Sequence, residues 1–228
     1  MTRKTNARLA GLMFLFYIAT AFAGMVLFDQ ATGGEGTAAK LSSIAQHAPR
    51  LRLAAVLTVV TILDALVLAV ALYALTRDCD ADLALLALSC RVAEGVTNAI
   101  PVIAMMALLA LAKGAAGAVA GDAAAANALG TLLLKVQGWS TLVGATLFAV
   151  GSTLYSYLFL RARTIPVLLA WLGVLASVLI VVGLPLETAG FIRRPVTSLM
   201  WIPIAAFELI LGVWLLIKGV ATQPAQSA

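Results

Sequence analysis

Four ionisable residues stand inside long apolar stretches of this 228-residue chain, namely Asp64, Arg91, Glu94 and Glu208. A charged side chain at the centre of a bilayer costs about 2.5–3.5 kcal/mol or more unless it is paired or hydrated. Three carboxylates and one guanidinium leave an excess of negative charge, which protons, a bound cation or a cationic ligand could balance. The residue types therefore predict a buried site for a proton, a cation or a small ligand.

The spacing of these residues places them in one layer. Arg91 and Glu94 are three residues apart, so they share one face of a helix and can form an ion pair, and Asn98 follows one turn later on that face. Counted at 1.5 Å per residue from a common membrane face, the four charged residues lie about 12–16 Å deep. Tyr17 and Ser152 reach about the same depth.

We interpret six residues as candidates for binding a ligand or a proton: Asp64, Arg91, Glu94, Glu208, Asn98 and Tyr17. Arg91 is expected to contact Asp64 or Glu208 on another helix, because an unpaired guanidinium at this depth would be costly. Since one Arg serves three acids, at least one carboxyl group should stay protonated near neutral pH, and Glu208 is our choice.

The elements that position these residues are predicted from the apolar stretches, because a helix needs roughly 20 apolar residues to cross the bilayer. Composition agrees: 63% of residues are hydrophobic and 11% charged, with a mean hydropathy of +1.06. We predict an all-α fold, a single transmembrane domain over residues 1–228 in the form of a helical bundle. Its six spans are predicted at about Leu9–Phe28, Leu53–Leu75, Leu83–Leu111, Val136–Leu160, Ile165–Leu186 and Val196–Ile217.

The segments between spans carry little chemistry. Residues 37–46 predict a short interfacial helix with Leu41, Ile44 and Ala45 on one face. The stretch from Lys113 to Lys135, mostly Ala and Gly, is interpreted as a linker. The basic residues lie in short segments that flank the spans, so the net charge of +5 indicates no nucleic-acid partner.

Orientation is weakly determined, because Lys and Arg residues are equally numerous on the two predicted sides. We expect both termini in the cytoplasm, since a basic cluster directly precedes the first span. That span continues to Phe28, beyond the small residues of a cleavage site, so we expect it to be retained rather than removed as a leader.

Three segments resemble a bacterial integral-membrane family that is known only as a domain of unknown function. They are residues 7–12 (ARLAGL), residues 91–94 (RVAE), and Glu208 with residues 214–220 (WLLIKGV). The resemblance covers nearly the whole chain. It implies a multi-pass protein of the bacterial inner membrane in which Arg91, Glu94 and Glu208 are characteristic, and it implies no enzymatic activity.

Three function classes follow. The first is a membrane protein that binds or translocates a proton, a cation or a small ligand at the charged layer. The second is a structural or partner-binding protein whose charged layer only fixes helix packing. The third is an intramembrane enzyme, although the chain lacks the His-Glu-x-x-His and Gly-x-Ser-x-Gly motifs. We predict no catalytic residue, metal site or cofactor, and no oligomeric state is indicated; the lipid bilayer is the expected partner.

Overall fold

The computed structural model describes residues 2–115 and 120–221. Seven α-helices and no strand lie in this part of the chain. The helices are α1 (Arg3–Ala31), α2 (Gly36–Gln46), α3 (Ala48–Thr76), α4 (Ala81–Ala115), α5 (Ala120–Ala162), α6 (Val167–Thr188) and α7 (Arg194–Ile217).

Six of these helices, all except α2, are long and apolar enough to cross a membrane. Each corresponds to one predicted span, so the prediction of an all-α bundle with six spans is confirmed, although α6 begins two residues after the predicted start at Ile165. Most other helix ends extend beyond the predicted spans because the basic and polar residues that flank a span continue the same backbone hydrogen bonding. The chain is therefore a multi-pass membrane protein.

The linker predicted at residues 113–135 is wrong over most of its length. Residues 120–135 form the first turns of α5, and residues 116–119 lie outside the described part. Alanine has the highest intrinsic helix propensity of all residues, so an Ala-rich stretch favours helix. Asp122 in the first turn also interacts favourably with the positive end of the helix dipole.

The chain divides into two compact units. Unit 1 comprises Met1–Ile18, Asp64–Gly95 and Leu142–Ala228, and unit 2 comprises Ala19–Leu63 and Val96–Thr141. Helices α1, α3, α4 and α5 contribute to both units, whereas α2 belongs to unit 2, and α6 and α7 belong to unit 1.

Unit 2 has an apolar core in which the short helix α2 is seated. Leu41 and Ile44 of α2 are buried in this core with Leu51 and Leu108, and Ala45 packs against it. The predicted helix at residues 37–46 is thus confirmed. Thr37 at the start of α2 also shares a hydroxyl–hydroxyl hydrogen bond of 2.7 Å with Thr131 of α5.

In unit 1, helices α1 and α7 cross at backbone distance. A Cβ atom on Gly11 would lie 2.5 Å from the Leu216 amide nitrogen and 2.6 Å from the Gly212 carbonyl oxygen. Only glycine fits at such an approach. Ala7 and Ala10 on the same part of α1 are fully buried. This crossing brings α7, and with it Glu208, against the start of α1.

The turn between α3 and α4 is fixed by Asp80. Its Oδ1 accepts a hydrogen bond from the Leu83 amide at 3.1 Å, which caps α4, and its Oδ2 accepts one from the Arg161 guanidinium at 2.8 Å. The Leu83 hydrogen bond, together with that of Arg161, holds the pKa of Asp80 below its ordinary value.

Candidate functional site

The centre of unit 1 is the guanidinium of Arg91, a residue only 2% exposed on α4. Its Cζ lies 4.8 Å from the ring centroid of Phe148 on α5 and 5.5 Å from that of Tyr17 on α1. Both distances are within the range of cation–π attraction, which is strongest in desolvated sites. Two aromatic rings therefore contact the buried cation.

A glycine on α5 makes room for the Arg91 side chain. A Cβ atom on Gly151 would lie 3.1 Å from both Cγ and Cδ of Arg91, and 3.3 Å from the Ala87 carbonyl oxygen. A Cβ atom on Gly173 of α6 would likewise meet the Phe207 ring, whereas one on Gly138 of α5 would have nothing within 4 Å.

Glu94 neutralises Arg91 on the same helix. Arg91 Nη1 lies 2.9 Å from Glu94 Oε2, and the Tyr17 hydroxyl donates a hydrogen bond of 3.2 Å to Glu94 Oε1. The Arg91–Glu94 contact is an ion pair by distance, but its angles are not those of a hydrogen bond. The i, i+3 spacing predicted this pair, and the structure also brings Tyr17 to it.

No ion pair joins Arg91 to Asp64 or Glu208 within 4.0 Å, and the predicted contact between Arg91 and one of these two acids stays a prediction. Among residues 2–115 and 120–221, Glu94 is the one carboxylate within 4.0 Å of Arg91, and neither Asp64 nor Glu208 reaches that distance.

Glu208 on α7 faces a small cavity and is 6% exposed. The cavity measures about 10 Å³, close to the smallest volume that holds one water molecule. Its polar lining residues are Glu208, Arg91, Ser152, Tyr155 and Ser156. The remaining lining is apolar: Phe14, Leu72, Phe159, Phe207 and Leu211. Glu208 and Arg91 thus border the same space without forming an ion pair.

Asp64 on α3 is 5% exposed, and neither of its carboxylate oxygens has a hydrogen-bond partner within the described chain. It does not line the cavity at Glu208. Asn98, the sixth candidate, is half-buried on α4 and belongs to unit 2. Five of the six candidates are therefore in unit 1, and Asn98 is not part of this cluster.

A protein-family model covers most of the chain. The model of the family described as Domain of unknown function (DUF4386) matches residues 9–219. The chain belongs to this family. No curated protein and no solved structure matches the chain. The family predicted from the three short segments is confirmed, and the range matched by the DUF4386 model includes Arg91, Glu94 and Glu208.

Sequence reasoning missed the contribution of α5 beyond Ser152. Phe148 stacks on Arg91, and Tyr155 both lines the cavity and donates a hydrogen bond of 3.0 Å to the Ala69 carbonyl oxygen. The spacing of Phe148, Ser152, Tyr155 and Phe159 is that of one helix face. A helix face of this kind, at the same depth as the charged residues of other spans, was the sequence signal that could have identified Phe148 and Tyr155.

Metal binding finds no support in the geometry. Within the part of the chain that the structure describes, no three His, Cys, Asp or Glu side chains are grouped so that they could hold a metal ion. The polar groups at the cavity are hydrogen-bond donors and acceptors: a guanidinium, a carboxyl group, a phenol and two hydroxyls.

Proposed function

We propose that the charged centre of unit 1 is a proton-exchange site and that Glu208 is the carboxyl group that binds and releases the proton. The protein would then be an integral membrane protein that binds or translocates protons. The observation that carries this proposal is the position of the buried Glu208 carboxyl group at a water-sized cavity, without an ion pair to a described residue.

Size favours a proton over a small organic ligand. Ligand pockets in proteins usually measure about 300–1,000 Å³. The cavity at Glu208 measures about 10 Å³, which leaves space for no more than about one water molecule. A proton needs no cavity of its own, and a single water can carry it between a buried carboxyl group and its surroundings.

Charge favours the same conclusion. Arg91 and Glu94 neutralise each other at 2.9 Å, so the cation of the cluster is already balanced. An ionised Glu208 would add an uncompensated negative charge in an apolar environment, which costs several kcal/mol. A bound proton removes that charge.

One observation favours the structural alternative. Arg91 is fixed by Phe148, Tyr17, Glu94 and Gly151, as expected of a group that only sets helix register. This describes Arg91 well, but it does not account for a second carboxyl group, Glu208, beside the same guanidinium.

The test compares thermal stability in detergent for the wild type, Glu208→Gln and Glu35→Gln from about pH 5 to pH 9, the range in which strongly perturbed buried carboxyl groups titrate. If Glu208 exchanges a proton, the wild type loses stability as pH rises and the charge appears. Glu208→Gln keeps a neutral side chain at every pH, so its thermal stability should not show this loss. Glu35 is exposed, so Glu35→Gln should follow the wild type.

Parallel profiles for the wild type and Glu208→Gln would refute the proton site and favour the structural alternative. Translocation is measured separately, as the decay of a pH gradient in vesicles that contain the protein and an internal pH dye. A loss of flux in Glu208→Gln supports translocation, whereas equal flux limits Glu208 to proton binding. The cytoplasmic location of both termini stays a prediction, and so does the location of the protein in a bacterial inner membrane.

A further inference from the structure

The loop that joins α6 to α7 presents one aromatic ring and two cations at the membrane surface. Phe191 is 78% exposed, and Arg193 and Arg194, which follow it closely, are exposed as well. Because the loop connects two membrane-spanning helices, it lies where the apolar interior of the bilayer meets the lipid headgroups. A Phe ring at this level contacts acyl chains, and a guanidinium binds phosphate through two parallel hydrogen bonds.

The described chain supplies no anion to these two arginines. Neither has a carboxylate within 4.0 Å among residues 2–115 and 120–221. Glu187, the nearest acid in sequence, accepts a hydrogen bond of 2.5 Å from the hydroxyl of Thr197, which is buried. The same hydroxyl oxygen lies 2.9 Å from the Arg194 carbonyl oxygen, so Thr197 connects the end of α6 to the start of α7. Both guanidinium groups are therefore open to an anion from outside the chain.

A helix-end motif fixes the backbone of this loop. Gly190 has a φ of +80°, and its amide donates a hydrogen bond of 2.9 Å to the Glu187 carbonyl oxygen. The Phe191 amide donates one of 2.9 Å to the Leu186 carbonyl oxygen. These are the two hydrogen bonds of a Schellman motif, which ends a helix with a residue in the left-handed region. Because the chain itself holds the loop in this conformation, the entropy cost of binding a ligand there is reduced.

An open groove of about 320 Å³ lies between α5 and α6 and reaches this loop. Its two threonine hydroxyls donate to carbonyl oxygens of their own helices, Thr146 to Leu142 and Thr188 to Leu184, so they need no polar partner in the groove. The volume is at the lower end of the range of ligand pockets, about 300–1,000 Å³. The groove is lined by Leu142, Val143, Thr146, Pro185, Thr188 and Ala189.

We propose that the α6–α7 loop and this groove together bind one anionic phospholipid of the surrounding bilayer, with its phosphate at Arg193 and Arg194 and an acyl chain in the groove. Charge complementarity selects the lipid class. The phosphate of phosphatidylcholine is offset by its own choline cation, whereas phosphatidylglycerol keeps a net negative charge. No groove residue borders the cavity at Glu208, so the lipid site is independent of the proposed proton site.

The experiment counts the lipids that the full-length protein retains. The protein is placed in nanodiscs with equal amounts of phosphatidylglycerol and phosphatidylcholine that have the same acyl chains, and native mass spectrometry measures the lipids that stay bound. The wild type should retain phosphatidylglycerol in preference. The double variant Arg193→Gln/Arg194→Gln should reduce this preference by about 30-fold, because each basic residue contributes about 1 kcal/mol of attraction to anionic lipid.

The matched control is Arg50→Gln/Arg52→Gln. Arg50 and Arg52 are exposed at the start of α3, and they too have no ion pair to a described residue, so the control removes the same charge from another membrane-surface segment. It should keep the preference of the wild type. Equal losses in the two double variants would overturn the proposal, because anionic lipid would then be attracted by basic residues in general.

The groove is tested with Val143→Trp, in which a large side chain fills part of the groove. This variant should retain fewer molecules of both lipids. Leu175→Trp on the exposed face of α6 lies outside the groove lining and should retain as many as the wild type. Equal retention by the two tryptophan variants would contradict the placement of the acyl chain.

Two further measurements separate a lipid site from other anion binding. Arg193→Lys/Arg194→Lys keeps both charges and should keep part of the preference, since an ammonium attracts phosphate without the two parallel hydrogen bonds of a guanidinium. This variant also provides the test should the glutamine variant not fold, because a complete loss of preference in it would contradict attraction by charge. Displacement of the lipid by inorganic phosphate alone would show a site for free anions and overturn the assignment to a lipid.

Discussion

The two units of this protein place different kinds of polar group in an apolar interior. Unit 1 buries a guanidinium and three carboxyl groups, whereas the buried polar residues described in unit 2 are the hydroxyl residues Thr20, Thr32 and Ser140. A hydroxyl can donate to the carbonyl one turn back on its own helix, as Thr32 does to Phe28 and Ser140 to Val136. A buried carboxylate or guanidinium instead needs an oppositely charged partner, as Arg91 has in Glu94 three residues along α4.

This difference is consistent with the proposed proton site in unit 1. Unit 2 is held together by an apolar core, and its buried Thr32 and Ser140 hydroxyls donate to carbonyl oxygens of their own helices. Unit 1 contains charges whose burial is costly and which helix packing alone does not require. Substitutions in the two units test whether the charged groups of unit 1 contribute more to stability than the hydroxyls of unit 2.

The largest effect is expected at Arg91. Arg91→Ala should destabilise the protein by about 3–5 kcal/mol, because Glu94 is left buried without its cation. Thr61 is the counterpart in unit 2, where its hydroxyl donates to Thr20 at 2.9 Å and to the Leu57 carbonyl at 2.8 Å. Thr61→Val should cost only about 0.6 kcal/mol, the average for interhelical hydrogen bonds in membranes.

Unfolding of both variants in mixed detergent micelles measures the two losses. Arg91→Lys should recover only part of the Arg91 effect, because an ammonium group lacks the flat guanidinium that lies against Phe148 and Tyr17. Equal losses for Arg91→Ala and Thr61→Val would remove the distinction between the units.

An intermediate effect is expected from two glycines of α5, one in each unit. Gly151→Ala places a Cβ 3.1 Å from the Arg91 side chain and 3.3 Å from a backbone oxygen, so it should cost about 1–3 kcal/mol by overpacking. Gly138 has nothing within 4 Å, and Gly138→Ala should stabilise the helix by about 0.5–1 kcal/mol. Opposite signs in thermal unfolding are the expected result, and a stabilising Gly151→Ala would contradict the tight fit around Arg91.

The smallest effect is expected at Asp80, a charged residue outside the spans. Because the folded state lowers the pKa of Asp80 from its ordinary value of 3.8, its contribution is present above that value and is lost as pH falls through the folded pKa. Asp80→Asn keeps the cap on α4 but cannot titrate. The difference in melting temperature between the wild type and Asp80→Asn should therefore shrink as pH falls from about 6 to about 3. A constant difference would show that folding does not lower the pKa of Asp80.

The spans and the Arg91–Glu94 pair could be predicted because they depend on local sequence: apolar length fixes a span, and a three-residue spacing fixes a helix face. The extension of α5 was missed because an Ala-rich composition is compatible with either a linker or a helix. Contacts between helices were less predictable. The sequence placed Arg91, Asp64 and Glu208 at one depth, but depth does not fix the rotation of each helix, and Phe148 and Gly151 determine where the guanidinium lies.

The close crossing of α1 and α7 at Gly11 and Gly212 also constrains biosynthesis. The ribosome makes α1 first and α7 after the other six helices, yet these two helices meet at backbone distance. Contacts between such distant parts of a chain form late, because the intervening loop must first be closed. The face of α1 that contains Ala7, Ala10 and Gly11 must therefore stay in the membrane without its contact to α7 until α7 has been made. Glu208 reaches the proposed proton-exchange site only when α7 packs against α1, so this site cannot be complete before α7 is inserted.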